Sequence, residues 1–60
     1  MRKIFYYYDK YKVEVNIKPT NTLYKVKVGK EYIVFEIAGD DTNETRVKIN
    51  KEIKKVLCLH

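Results

Sequence analysis

Several residue types that stabilise or equip small proteins are scarce in this chain of 60 residues, which has one cysteine, one proline, one histidine and no tryptophan. A single cysteine cannot form an internal disulfide, on which secreted domains of this size usually depend, so we expect a reducing, cytoplasmic location. No stretch approaches the roughly 20 apolar residues of a transmembrane span, and no N-terminal apolar run resembles a signal peptide. We therefore expect no membrane partner.

Residues suited to catalysis or to metal binding are equally few. The only histidine, His60, is the last residue, and the only cysteine, Cys58, is expected to pack under a helix. Together they could supply two metal ligands, whereas a zinc site usually takes about four. The acidic residues between Asp40 and Glu44 do not have the spacing of a calcium loop, and no glycine-rich phosphate loop is present. The sequence predicts a protein that is not an enzyme and that has no catalytic residue, cofactor or metal.

Charge is the first positive feature. Thirteen lysine and arginine residues stand against eight aspartate and glutamate residues, which gives a net charge of +5. On one small domain spanning residues 1–60, this excess favours an acidic partner, either DNA or RNA or an acidic protein, although solubility alone can account for it. The chain is expected to be a monomer or a small homo-oligomer.

The stretch from Leu23 to Ile37 alternates between two kinds of side chain and predicts one tight β-hairpin. A two-residue turn at Gly29-Lys30 would place Tyr24 opposite Phe35 and Val26 opposite Ile33, all on one core face. The opposite, solvent-facing side of this hairpin would then carry Lys25, Lys27, Tyr32 and Val34.

A second hairpin is predicted before it. Residues 4–8 and 11–17 form strand-like runs around an Asp9-Lys10 turn, and pairing Tyr8 with Tyr11 also aligns the apolar residues of both strands. This register leaves Phe5 and Tyr7 on the outer face beside Lys12, as two exposed aromatic side chains that another element or a partner would cover.

The remaining segments complete a prediction of an all-β fold. A loop with the only proline ends the first hairpin, and an acidic loop follows the second. Residues 45–49 alternate and predict a fifth strand in which Val47 pairs with Phe35 and Arg46 pairs with Glu36. Asn50 is a suitable N-cap for a short helix with Ile53 on its apolar side. We predict a five-stranded antiparallel SH3-like small barrel or half-barrel with a short C-terminal helix.

Two surfaces follow from this fold. The leading hypothesis is a non-enzymatic nucleic-acid-binding module in which cations neutralise phosphates and an aromatic stacks on bases. An ordinary solvated face of a lysine-rich sheet would have the same pattern. The residues of this site are Lys25, Lys27, Tyr32, Val34, Arg46 and Lys48.

The alternative hypothesis is a small protein-binding module or inhibitor, of the kind that viruses or plasmids carry, which binds an acidic surface of a protein target. Tyrosine is enriched at such interfaces, and an uncovered sheet edge can pair with another chain. The candidate interface residues are Phe5, Tyr7 and Lys12.

The layout of a two-stranded hairpin, a three-stranded sheet and a C-terminal helix, with Val28-Gly29-Lys30 at the central turn, resembles the seven-kilodalton DNA-binding chromatin proteins of archaea. This resemblance implies an SH3-like barrel whose three-stranded sheet lies on the DNA minor groove and inserts apolar side chains. Where those proteins have an aromatic two positions before the valine of the turn, this chain has Val26, and Glu31 follows the turn. The similarity is one of architecture, and the same barrel shape serves protein binding.

Overall fold

A computed structural model describes residues 2–59, which form one antiparallel sheet and one helix. The sheet is open, and its strands follow one another in the order β1-β2-β3-β4. The prediction of a mostly β fold with a C-terminal helix is confirmed. The elements are β1 (Arg2–Tyr8), β2 (Tyr11–Ile17), β3 (Asn21–Val28), β4 (Glu31–Ala38) and α1 (Asn43–Leu59).

Both predicted hairpins are present in the predicted register. Tyr8 pairs with Tyr11 at the end of the first hairpin, and Val26 pairs with Ile33 in the second. Each turn is made possible by a residue that accepts a positive φ, which is 56° at Asp9 and 65° at Gly29. Aspartate and glycine are among the few residues that adopt this conformation at low cost, so turn chemistry and hydrophobic alternation select the same register.

A third pairing joins the two hairpins into one sheet. Val13 lies opposite Val26 and Val15 lies opposite Tyr24 across β2 and β3. The connecting loop is closed by a hydrogen bond of 2.9 Å from the Lys18 amide to the Asn21 carbonyl oxygen. These pairs are the centre of the core face, and all four side chains are buried.

The predicted fifth strand is wrong, because residues 45–49 belong to α1. The helix begins seven residues before the predicted N-cap, Asn50, and its actual cap is Thr42. The Thr42 Oγ1 atom accepts a hydrogen bond from the Thr45 amide at 3.2 Å, and the Thr45 Oγ1 atom accepts one from the Thr42 amide at 2.9 Å. This reciprocal pair satisfies two backbone donors in the manner of a capping box. Glu44 adds a favourable negative charge in the first turn.

The position of the helix is stabilised by the apolar face of the sheet, which the helix covers. Ile49 and Ile53, one helical turn apart, are buried against the central valines and Tyr24, and Leu57 continues the same stripe at half burial. The pairs predicted between Phe35 and Val47 and between Glu36 and Arg46 do not form. Val47 is 52% exposed on the far side of the helix.

An open four-stranded sheet therefore stands where an SH3-like barrel was expected. The barrel needs further strands to curl the sheet onto itself, whereas here a 17-residue helix covers the core face. The layout also departs from that of the archaeal chromatin proteins, because within residues 2–59 no third strand lies beside β4. The opposite face of the sheet, which the helix does not cover, is called the outer face below.

A polar network fixes the start of the helix on the sheet. The Arg46 guanidinium donates to both carboxylate oxygens of Asp41, with Nη2 at 2.6 Å from Oδ2 and Nε at 3.0 Å from Oδ1. The Tyr24 hydroxyl donates to Asp41 Oδ1 at 2.5 Å and lies 2.8 Å from Thr45 Oγ1. The Asp41 side chain is only 7% exposed. Burial alone would raise the pKa of Asp41, but the hydrogen bonds from Arg46 and Tyr24 outweigh it and hold that pKa below its usual value.

Tyr6 extends this network to the first strand. Its ring lies under the Arg46 guanidinium, 4.6 Å from ring centre to Cζ, and its hydroxyl donates to Asn50 Oδ1 at 2.9 Å. Arg46 thus contacts the loop before the helix through Asp41, and it contacts β1 through the Tyr6 ring. The network thus links the N-terminal half of α1 to β1, to β3 and to the loop before the helix.

The two tyrosines of this network predict a loss of stability at alkaline pH. Burial raises the pKa of Tyr6 to about 12, and burial together with the hydrogen bond to Asp41 raises the pKa of Tyr24 to about 12. The unfolded chain would ionise both near the ordinary value of 10.0. Their contribution is therefore complete below about pH 10 and is lost as pH rises through about 12.

Urea unfolding followed by circular dichroism at intervals between about pH 8 and pH 11 measures this loss. The variant with both Tyr6→Phe and Tyr24→Phe lacks the two titrating hydroxyls, so it provides the control for lysine deprotonation. We expect a steeper decline above about pH 10 in the unsubstituted protein than in this control. Parallel declines would contradict the role assigned to the tyrosines.

Candidate nucleic-acid interface

The outer face crosses all four strands, and no other element of the described part of the chain covers it. One row of side chains is set by the three registers together, because Phe5 pairs with Glu14, Glu14 with Lys25, and Lys25 with Val34. Tyr32 lies opposite Lys27 in the neighbouring row. The face as a whole carries Lys3, Phe5, Tyr7, Lys12, Glu14, Asn16, Leu23, Lys25, Lys27, Tyr32, Val34 and Glu36.

Large apolar side chains on this face are exposed. Phe5 is 48% exposed, Tyr7 67%, Tyr32 59% and Val34 55%. The solvated face of an antiparallel sheet is ordinarily polar. Neither core packing nor strand pairing accounts for four exposed apolar side chains on one such face. Four lysines lie among them, which makes the surface both cationic and aromatic.

Lysine and aromatic side chains are in direct contact. The Lys12 ammonium lies 4.3 Å from the centre of the Phe5 ring, and the Lys25 ammonium lies 4.5 Å from that of Tyr32. Lys27 lies 5.7 Å from the same Tyr32 ring. Each pair is a cation–π contact of the exposed kind, which contributes about 0.5 to 1 kcal/mol. In the structure the three ammonium groups therefore lie beside the rings.

These residues surround a shallow concavity in the outer face, with a volume of about 370 Å³. Such a volume is at the lower end of the range for sites that bind small molecules. Its walls come from β1, β2, β3 and β4, so the open sheet is what brings them together. The concavity is lined by Phe5, Lys12, Glu14, Lys25, Lys27 and Tyr32.

Among the described residues that line the concavity, Glu14 is the one with a carboxylate. Its Oε2 atom accepts a hydrogen bond of 3.0 Å from Asn16 Nδ2, and its Oε1 atom lies 3.9 Å from the Lys3 ammonium. The hydrogen bond from Asn16, and then the nearby charges of Lys3 and other lysines, lower the pKa of Glu14. The carboxylate is therefore ionised at neutral pH, and it can accept hydrogen bonds but cannot donate them.

The structure brings together four of the six predicted nucleic-acid contacts. Lys25, Lys27, Tyr32 and Val34 share the outer face, as expected. Arg46 and Lys48 do not, because the segment that carries them is helical and lies on the other side of the sheet. Arg46 is also bound to Asp41, so its guanidinium is occupied within the fold. Lys48 is exposed on the helix.

The residues predicted for a separate protein interface belong to the same surface. Phe5 and Lys12 line the concavity, and Tyr7 pairs with Lys12 beside it. Glu14 and Lys3 were missing from both predicted sites. The short loop between β2 and β3 was the available signal, because connections of this length usually join neighbouring strands. Placing β2 beside β3 would have joined the two predicted sites into one surface.

The outward side of the helix has a different character. Cys58 is exposed there, which corrects the expectation that it packs under the helix. Lys51, Lys54 and Lys55 lie along the same side. Within residues 2–59, no helix is both long enough and apolar enough to cross a membrane. His60 lies outside the described residues.

No protein-family model matches this chain, and no curated protein or solved structure matches it either. The chemistry of the outer face is therefore the basis for inferring a function.

Proposed function

We propose that the protein is a non-enzymatic nucleic-acid-binding module and that the outer face of its sheet is the binding surface. The observation that carries this proposal is the lysine-over-ring arrangement around the concavity, with Lys12 on Phe5 and with Lys25 and Lys27 beside Tyr32. Phosphates attract the ammonium groups, and bases can stack on the rings that the ammonium groups vacate. Arg46 and Lys48 are no longer part of the proposed site.

The distribution of charge supports this assignment. Lys12, Lys25 and Lys27 surround the concavity, whereas its one carboxylate, Glu14, is partly neutralised by Lys3. A phosphate chain crossing the face would meet cations on β2 and β3 and aromatic rings on β1 and β4. In the open sheet, the Phe5 and Tyr32 rings lie on opposite sides of the lysines of β2 and β3. A nucleic-acid strand that lies across the face can therefore contact both the rings and the ammonium groups.

Charge reversal at Lys25 and Lys27 tests the proposal. We expect the double variant Lys25→Glu and Lys27→Glu to weaken binding about tenfold or more, because each lost phosphate contact also removes a share of counterion release. The measurement is fluorescence anisotropy of labelled duplex DNA, single-stranded DNA and RNA in a salt series. The slope of log affinity against log salt should become shallower in the variant.

The matched control changes the same charge on the other side of the molecule. Lys48→Glu with Lys54→Glu introduces the same charge difference on exposed positions of α1. We expect this control to alter affinity less than about threefold, through long-range attraction alone. Equal losses in both double variants, or no binding at low salt by the unsubstituted protein, would overturn the proposed function.

A second candidate function is the binding of an acidic protein surface. Phe5 and Tyr7 support it, because they are exposed side by side on β1, which is an edge strand of the described sheet. An edge strand can accept a strand from a partner, and exposed aromatics are typical anchors of protein interfaces. Absence of nucleic-acid binding would favour this candidate, and the variant with Phe5→Ser and Tyr7→Ser would then be expected to lose the protein partner.

A further inference from the structure

The concavity has features that a duplex cannot use. In a duplex, the faces of the bases are stacked on one another and their pairing edges are occupied. Phe5, Tyr32 and Glu14 line a space of about 370 Å³, which a base can enter only if it is unpaired and unstacked. Aromatic rings on a sheet are a common means of holding such bases.

The charged hydrogen-bonding groups of the lining divide into two kinds, beside the Tyr32 hydroxyl, which can both donate and accept. Lys12, Lys25 and Lys27 are donors only, and the Glu14 carboxylate is an acceptor only. Oε2 of Glu14 is already bound to Asn16, whereas Oε1 has the Lys3 ammonium at the long distance of 3.9 Å. Of the two oxygens, Oε1 therefore has the greater remaining capacity to accept a hydrogen bond from a bound molecule.

Bases differ in what they offer to such an acceptor. Cytosine, adenine and guanine carry an exocyclic amino group, and a glutamate side chain can accept a hydrogen bond from the amino group of cytosine. Thymine and uracil present a carbonyl oxygen at the corresponding position. A carbonyl oxygen facing an ionised carboxylate leaves both acceptors without a donor, which costs binding free energy.

We propose that the concavity receives an unpaired base of a single-stranded nucleic acid, and that Glu14 accepts a hydrogen bond from the exocyclic amino group of that base. This inference rests on the proposed function and specifies its substrate class. The lysines now over the Phe5 and Tyr32 rings move to the phosphates on either side, and the base takes their place against a ring. Glu14 makes the surface selective, whereas the lysines supply most of the affinity.

The test compares labelled oligonucleotides of about 12 residues, long enough to cross the face, made only of cytosine or only of thymine, with the cytosine and uracil RNA pair alongside. We expect the cytosine oligomers to bind about three- to tenfold more tightly, the range of one hydrogen bond of ordinary net strength at a site open to solvent. In Glu14→Gln this preference should fall to less than about twofold, while affinity for the thymine oligomer stays the same or rises because one negative charge is lost.

Glu36→Gln is the matched control. It removes the same charge from the outer face at a position outside the concavity. We expect it to retain the full preference for cytosine. Circular dichroism of both variants confirms that a change in preference does not come from unfolding.

The outcomes separate this inference from the function on which it rests. Duplex binding as tight as single-strand binding, or equal affinity for cytosine and thymine oligomers, would overturn the base-recognition proposal while the proposed function stands. A preference that survives Glu14→Gln would overturn it as well. Binding to no oligonucleotide at low salt would overturn the proposed function itself.

Discussion

Ile53→Ala is expected to destabilise the protein by about 2 to 5 kcal/mol, because it leaves a cavity where the helix meets the sheet. Ile53 is fully buried, and it packs on the same cluster as Val13, Val15 and Tyr24. A domain of this size has a total stability of roughly 3 to 9 kcal/mol. Urea unfolding followed by circular dichroism should therefore show a large fall in the midpoint, or a chain that is substantially unfolded without urea.

Val47→Ala is the control for this prediction and a test of the helix itself. In the five-stranded prediction Val47 faced the core, whereas in the structure it is 52% exposed on the outward side of α1. We expect a change within about 0.5 kcal/mol, since the site is exposed and alanine favours a helix. A loss at Val47 as large as that at Ile53 would indicate that the segment is a strand.

Asp41→Asn is expected to cost about 2 to 3 kcal/mol of the free energy of unfolding. The substitution keeps the size of the side chain but leaves the Arg46 guanidinium without its carboxylate, and breaking one partner of a buried pair typically costs about 3 to 5 kcal/mol. The smaller value applies here because the Arg46 side chain is 29% exposed and can regain some hydration. The measurement is again urea unfolding at neutral pH.

Asp40→Asn is the matched control, with the same change in charge one residue earlier at an exposed position, and a change within about 0.5 kcal/mol is expected. Acid should reproduce the effect of Asp41→Asn. Because the folded state lowers the pKa of Asp41 from 3.8, the contribution of this carboxylate is complete above that value and is lost as pH falls through the folded pKa. If the difference in the free energy of unfolding between the unsubstituted protein and Asp41→Asn does not shrink in acid, this account is contradicted.

The sequence contains enough local information for the two hairpins but not for the helix. At Asp9 and Gly29, turn residues and alternation agree, so the register follows from the sequence alone. In the segment from Thr45 to Ile49 the two periodicities overlap, because β-branched residues at every second position suit a strand while Ile49 and Ile53 suit a helix. Thr42 is a suitable helix cap, but threonine is also common in loops. The segment is helical because Ile49 and Ile53 then cover Tyr24 and its neighbours in the core.

The candidate site was also predicted only in part, because local sequence determines the register within each hairpin but not the contacts between hairpins. Register within each hairpin was enough to place Lys25, Lys27, Tyr32 and Val34 on one face. The pairing of β2 with β3, which adds Phe5 and Glu14 to that face, depends on contact between hairpins and is not encoded in either one. Arg46 was misplaced because its partner is decided in three dimensions, where Asp41 is close and Glu36 is not.

The order β1-β2-β3-β4 also determines how the chain reaches its native state. Every strand pairs only with its neighbour along the chain, so the sheet has a low contact order, and low contact order favours rapid folding. Docking of the helix closes a much longer loop, as in the 44-residue separation between Tyr6 and Asn50. We expect the hairpins to form before the helix docks, so that in a chevron plot Ile53→Ala mainly raises the unfolding rate, whereas a substitution at Gly29 mainly slows folding.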